Sequence, residues 1–477
     1  MSKFKLFIEN FLIYGIGGVI SKIVPLIMVP IITRLMPNTE YYGISDLYTT
    51  VIQIASALAI MGMYDAMYRM FFEKEEHEFQ TKVCSTAFMF TIFSSLVICL
   101  VMCLLRKPIA QVFFDDPSIA YLVYIAAMAT LIGSTNSIVS APTRMQNQRG
   151  IYLIANTVSP ILSYGIAIPL LLKGYYILAL PIASVISAVT MELSFYGLNH
   201  KWFSFKKFDF KLLKQMLVIA VPLLPNFLIY WVFNSSDKVM ITNLLNVGEA
   251  GIYSVGSKLG HASQLIYTAF AGGWQYFAFS TMKEKDQVKT NSSIFEYLGA
   301  ISFVTSAFIC AFSYWIFKIL FTEEYLSGYI VAPYLFLAPL LQMLFQVACN
   351  QFIVVKKTWF NMVILAGGAL LNVVLNLVLI PILGMEGAAI ATLCGYVVSN
   401  IVCIIVLCCM KLMIISKRMI ASVIFITAYF VLWRLLFPDN IIIGTLSAVA
   451  LTLIYILMYK KDLSGLLKSA KCKNNNI

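Results

Sequence analysis

The chain has 477 residues, 60% hydrophobic and 12% charged, with a formal net charge of +12. A soluble domain is about a quarter charged and at most about half apolar, so this chain cannot cover its own surface with polar groups and lipid must be its outer solvent. Most of the ten cysteines lie inside apolar runs, among them Cys99, Cys103, Cys310 and Cys403, where they act as small hydrophobes and not as a disulfide framework.

A membrane-spanning helix needs about 20 mostly apolar residues. The sequence predicts about fourteen such runs: 10–31, 43–65, 83–104, 118–140, 151–172, 177–198, 213–235, 249–272, 293–317, 330–354, 359–380, 386–410, 418–436 and 441–459. Short connectors leave no room for a large extramembrane domain. Lys3 and Lys5 precede a first run too long for a cleavable signal, so span 1 is expected to double as an uncleaved anchor.

Polar residues recur inside these runs. Span 1 carries Gly15, Gly17, Gly18, Pro25 and Pro30, with Lys22 roughly 18 Å deep. Span 2 carries Tyr42, Asp46, Thr49, Gln53 and Ser56, three or four residues apart and therefore on one face. Arg69 follows it, and span 4 adds Thr130, Ser134 and Ser137. Span 7 combines Pro222 and Pro225 with Asn226, Tyr230 and Asn234, and Asp237 stands at its outer end. Span 8 carries Ser254, Ser257, Lys258, His261, Gln264 and Thr268, and span 10 carries Gln342, Gln346 and Asn350.

One polar residue per span is explained by interhelical hydrogen bonding. Continuous stripes on several spans are better satisfied by a water-filled cavity, because a charge at the bilayer centre costs about 2.5–3.5 kcal/mol. The candidate cavity residues are Lys22, Lys258, His261, Gln264, Gln53, Asn226, Tyr230, Gln342, Gln346 and Asn350. Asp46, Asp237 and Arg69 are the candidates for gating or ion coupling. The two intramembrane lysines either attract an anionic headgroup or balance acids such as Asp46 or Glu296. Asp46 is expected to pair with Lys258 across a closed outer gate.

Charge orients the spans. With the N-terminus cytoplasmic, twenty-five Lys and Arg fall on the inner side and seven on the outer side, Lys238 among the seven. Cytoplasmic loops retain Lys and Arg, so the split supports an even number of spans with both termini inside. It also accounts for the net charge without nucleic acid.

The chain repeats itself. Ile32-Thr33-Arg34-Leu35-Met36 is echoed by Ile241-Thr242-Asn243-Leu244-Leu245, 209 residues on, and Tyr42-Gly43 by Gly251-Ile252-Tyr253. Lys173-Gly174 finds a second echo in Leu383-Gly384. The fold expected is therefore an all-α integral membrane protein with two parallel six-helix repeats, spans 1–6 and 7–12. They form two lobes around a central cavity, as in transporters. The expected divisions are an N-lobe at 1–198, a cytoplasmic linker at 199–212, a C-lobe at 213–410, spans 13–14 at 411–459 and a basic tail at 460–477.

No metal-ligand cluster, nucleophile elbow, Walker loop or kinase signature occurs. No cofactor is expected. Without a nucleotide-binding loop, energy must come from an ion gradient, the membrane potential or the substrate gradient.

The stretch from Asn10 through Tyr14, Gly17, Pro30 and Arg34 to Tyr42-Gly43 resembles the opening of polysaccharide flippases of the Wzx type. So does Tyr68-Arg69-Met70-Phe71-Phe72-Glu73. Pro222, Pro225, Asn226, Asp237 and Gly251-Ile252-Tyr253 resemble the family signature at spans 7 and 8. Asn372, Asn376, Pro381, Gly384 and Gly387-Ala388-Ala389 resemble its span 11–12 junction.

The resemblance covers the whole chain and implies the multidrug/oligosaccharidyl-lipid/polysaccharide exporter superfamily. It implies alternating-access movement of undecaprenyl-diphosphate-linked oligosaccharides across the cytoplasmic (inner) membrane, for O-antigen or capsule assembly. The implied partners are membrane lipids, a polysaccharide polymerase and a chain-length regulator, with H+ or Na+ coupling. Three alternatives stay open. A lipid II flippase would be expected to carry several cavity arginines, and a drug or cation antiporter cavity acids. A membrane-embedded polymerase or ligase would need a large outer loop.

Overall fold

The structure is a computed structural model that describes residues 23–281 and 284–462. Lys22, the first part of predicted span 1 and most of the basic tail lie outside the described residues. Among the described residues there is no strand. Among them, twelve helices are long and apolar enough to cross a membrane, and the described parts of the two remaining predicted spans are also helical. Span 1 is represented by the apolar helix α1 (Ile23–Leu35). Span 8 becomes α13 (Val247–Gly260) and α14 (Gln264–Ser280), joined by a 3-10 turn at His261–Ser263. The protein is a multi-pass membrane protein.

The chain forms two compact units. The first holds the described residues through Val255 together with Ala369–Ala391. Its helices after α1 are α2 (Thr39–Ile60), α3 (Met63–Phe71), α4 (His77–Leu104), α5 (Arg106–Phe114), α6 (Tyr121–Val139), α7 (Ala141–Met145), α8 (Arg149–Leu172) and α9 (Ala179–Asn199). Then come α10 (Phe210–Ala220), α11 (Leu224–Trp231), α12 (Asp237–Leu244) and the first part of α13. Helix α6 is central, packing on α2, α4 and α9, while α8 packs on α9.

Helix α4 shows how a membrane inverts the usual pattern. Its buried face is Thr81, Cys84, Phe88, Thr91, Ser95 and Met102, rich in small and hydroxyl side chains. Phe93, Leu96, Leu100 and Leu104 point outward. Small residues let helices approach closely, and lipid tails are as good a solvent for leucine as a protein core.

The second unit holds Gly256–Gly368 and the described residues from Thr392 onward. Helices α15 (Gln287–Leu320) and α16 (Val331–Val354) are its spine, and α14 packs on α16. The later helices are α17 (Trp359–Leu383), α18 (Met385–Cys409), α19 (Lys417–Leu436) and α20 (Ile441–Met458), with α17 and α18 shared between the units. Both α19 and α20 pack on α15. Arg418 fastens them there, with Nη1 2.6 Å from Asp462 Oδ2 and Nε 3.2 Å from Glu296 Oε1. Its guanidinium also sits 4.9 Å from the Tyr459 ring centre.

A candidate site: a buried charge cluster and a polar helix break

Predicted span 7 does not end at residue 235. Helices α10, α11 and α12 run on as one helical stretch, Phe210–Leu244, of 35 residues. Two irregular turns interrupt it. Pro222 has no N–H to donate, and Val221–Leu223 adopts a 3-10 turn. A π-helical turn then occupies Val232–Ser236. There the Asn234 amide donates to Tyr230 O at 2.7 Å and the Ser236 hydroxyl to Val232 O at 2.6 Å. Side chains that bond carbonyls four residues back loosen the backbone ladder, and π turns of this kind are frequent at functional sites.

The continuation brings Asp237 and Lys238 inside the protein, both buried. Lys238 Nζ lies 2.6 Å from Asp46 Oδ2 on α2. The Ser254 hydroxyl on α13 donates to the same oxygen at 2.9 Å. The Asp237 carboxylate accepts from its neighbour's backbone N–H, Lys238 N to Asp237 Oδ1, at 2.9 Å. It also accepts from the Tyr253 hydroxyl. Two acids, a lysine, a serine and a tyrosine thus interlock three helices. Asp46 is paired with Lys238, a partner the sequence did not suggest, because the helix carries Lys238 inward instead of releasing it to an outer loop.

Just before this cluster, α2 and α13 approach backbone to backbone at a pair of glycines. Asn38 caps α2, accepting from Glu40 N at 3.2 Å. Asn246 caps α13, accepting from Glu249 N at 2.8 Å. Gly43 and Gly251 follow at equivalent places, and a Cβ on either would lie 3.1 Å from the other's backbone nitrogen. Asp46 and Ser254 come three residues later. Caps, glycines and hydrogen-bonded pair are each 208 residues apart, so the repeat steps back by one from the 209 of the preceding stretch. Equivalent residues of the two repeats touch one another.

Deeper on α2, the exposed Gln53 accepts from Ser235 Oγ in the π turn at 3.1 Å. Trp231 Nε1 donates to Thr50 O at 3.4 Å, and Tyr48 meets Ser184 at 3.4 Å. Asn226 is half-buried and Tyr230 exposed on α11. Arg69 stands apart from these residues. It is exposed on α3 and lines an open pocket of about 430 Å³ with Glu73, Gln215 and Ile219.

In the second unit, Lys258 occupies the last turn of α13, His261 opens the 3-10 break and Gln264 begins α14. All three are half-buried. On α16, Gln342 and Gln346 are half-buried and Asn350 is buried. The structure therefore gathers Asp46 and Asp237 into one cluster and Gln53 beside the π turn. It adds Lys238 and Tyr253, which the polar-stripe pattern did not single out. The available signal was the adjacent Asp237-Lys238 pair, since charge next to an apolar run is as consistent with a continuing helix as with a loop. Among the described residues, no three His, Cys, Asp or Glu side chains are placed to hold a metal ion.

Comparison with known proteins defines the class. Residues 31–330 match the family model described as polysaccharide biosynthesis protein. A structure titled lipid II flippase MurJ, inward closed conformation, superposes with a TM-score of 0.71 at 16% identity, covering 95% of this chain and 100% of that one. An inward-facing multidrug resistance MATE family transporter of the MOP superfamily gives 0.58 at 12% identity, covering 86% and 98%. A mutant of the Vibrio cholerae MATE transporter VcmN gives 0.60 at 13%, covering 84% and 95%. No curated protein matched. The fold is shared with these lipid II flippase and MATE transporter structures.

The chain belongs to the polysaccharide biosynthesis protein family.

Proposed function

We propose that this protein flips undecaprenyl-diphosphate-linked oligosaccharide repeat units across the cytoplasmic membrane by alternating access, supplying surface polysaccharide assembly. The observation that carries the reading is the polysaccharide biosynthesis family match over residues 31–330 on a chain with the fold of a lipid-carrier flippase. Lobes at 1–198 and 213–410 rock about a cavity, with the N- and C-termini cytoplasmic. Lys22 and Lys258 attract the diphosphate, which an ammonium holds as a point charge. His261, Gln264, Gln53, Asn226, Tyr230, Gln342, Gln346 and Asn350 offer hydrogen bonds to the sugars, while the prenyl tail stays in lipid. The Asp46–Lys238 pair, with Asp237, Tyr253 and Ser254, is the closed outer gate. Asp46 and Asp237 are the candidates for H+ or Na+ coupling.

A second reading, a lipid II flippase, is favoured by the 0.71 superposition on that fold. The absence of mid-membrane arginines in the sequence weighs against it. The test is to delete the gene in its native host and identify the lipid carriers that accumulate. Undecaprenyl-diphosphate oligosaccharide with loss of surface polysaccharide is the expected result. Accumulated lipid II would transfer the assignment to the peptidoglycan precursor. Increased drug sensitivity with neither lipid accumulating would overturn the lipid reading.

A further inference from the structure

The linker between α9 and α10 is built into the first unit. Ser204 N donates to Ser85 Oγ at 3.0 Å and Asp209 N to Thr86 Oγ1 at 3.2 Å, both on α4. The Trp202 ring lies 4.7 Å from His77 and 5.3 Å from Phe71, and Phe203 lies 5.0 Å from Phe88. Asp209 then caps α10, accepting from Lys211 N at 2.8 Å.

The outward side of the same segment has a different chemistry. Phe205 and Phe210 are 64% and 62% exposed, and Phe208 is exposed too. Among them stand Lys201, Lys206, Lys211 and Lys214, all exposed, and the half-buried Lys207. Lys214 Nζ sits 5.1 Å from the Phe210 ring centre. Three exposed phenylalanines and five lysines are interleaved over fourteen residues, 201–214.

The height at which the segment is held fixes what it faces. Helix α4 has 28 residues, about 42 Å of rise, which exceeds a hydrocarbon core of about 30 Å. The surplus lies at its start, where His77, Glu78 and Lys82 are charged or titratable, whereas its end is apolar through Leu104. Counting about twenty residues back from Leu104 reaches Ser85. The linker is therefore hydrogen-bonded to α4 at the edge of the hydrocarbon. At that height phenylalanines sink into the acyl boundary while lysines reach headgroup phosphates.

We propose that residues 201–214 form an interfacial brace that binds anionic phospholipid headgroups of the cytoplasmic leaflet through Lys206, Lys207, Lys211 and Lys214, with Phe205, Phe208 and Phe210 as its apolar anchor. This rests on the orientation proposed above, in which the linker is cytoplasmic. The brace holds the junction between the two repeats flat on the membrane while the helices beyond it move.

The experiment uses the full chain in liposomes of phosphatidylcholine alone or of phosphatidylcholine with phosphatidylglycerol. Hydrogen–deuterium exchange is read on peptides covering 199–214. Wild-type protein is expected to gain protection there when phosphatidylglycerol is present. The variant K206Q/K207Q/K211Q/K214Q is expected to lose that gain, and its phosphatidylglycerol affinity by native mass spectrometry should fall about tenfold or more. F205S is expected to keep the charge dependence but to weaken protection in both lipids. Equal protection in both liposome types would overturn the proposal and leave the linker as a contact within the protein. An impermeant amine reagent distinguishes failure of the orientation. Linker lysines labelled in spheroplasts but not in inverted vesicles would place the segment outside and refute the orientation and the brace together.

Discussion

At the scale of single residues, the Asp46–Lys238 pair carries the sharpest consequence. Both side chains are buried, at 4% and 9% exposure, and their charged atoms are 2.6 Å apart. Breaking such a pair from one side costs roughly 3–5 kcal/mol, because the remaining charge is stranded away from water. Removing both charges is far less costly. Lys238→Gln and Asp46→Asn are each expected to lower the melting temperature in detergent by several degrees and to reduce surface polysaccharide in a complementation assay. The double variant D46N/K238Q should recover most of the stability. It should not recover transport if the pair is a gate that must form and break. Additive losses in stability would show that the two side chains do not act as a pair. Asp46 and Asp237 were legible in the sequence, since an intramembrane carboxylate is conspicuous. Lys238 was not, because its inward position depends on a π turn set by Asn234 and Ser236 side chains bonding the backbone, and hydropathy does not register that competition.

At the scale of elements, the crossing of α2 and α13 turns on two glycines. A Cβ at Gly43 or Gly251 would meet the other helix's backbone, which cannot move aside as a side-chain tip could. Gly→Ala in a helix usually stabilises by about 0.4–1 kcal/mol when the site is open. Gly165 in α8, with nothing within 4 Å of its would-be Cβ, is such a site. G165A is therefore expected to be neutral or mildly stabilising. G43A and G251A should each destabilise this closed crossing by about 1–3 kcal/mol. Thermal unfolding in one detergent compares all three, and a stabilising G251A would show that the crossing is looser than described. The repeat was visible in the sequence as matched strings. The structure adds that Asn38 and Asn246, 208 residues apart, are equivalent caps, each accepting a backbone N–H at the start of its helix.

At the scale of the whole molecule, fold class was almost wholly legible, for a physical reason. Lipid cannot hydrogen-bond the backbone, so every crossing must be a complete helix with an apolar exterior, and long apolar runs have few other uses. What the runs concealed was their internal irregularity, the 3-10 turn at His261–Ser263 and the 35-residue continuity of Phe210–Leu244. The same continuity sharpens the orientation argument. Lys238, assigned from the sequence to an outer loop, is buried in a helix, which leaves six outer Lys and Arg against twenty-five inner ones. Positive residues near span ends govern topology through their retention on the cytoplasmic side, so the bias toward termini inside grows. A green fluorescent protein fused after Ile477 is expected to fluoresce, and alkaline phosphatase fused there to be inactive. Alkaline phosphatase fused after Lys107, between α4 and α6, should be active. The reverse pattern would turn the whole bundle over. The buried cluster around Asp46 would then close the cytoplasmic side, and the proposed direction of gating would be inverted while the fold stood unchanged.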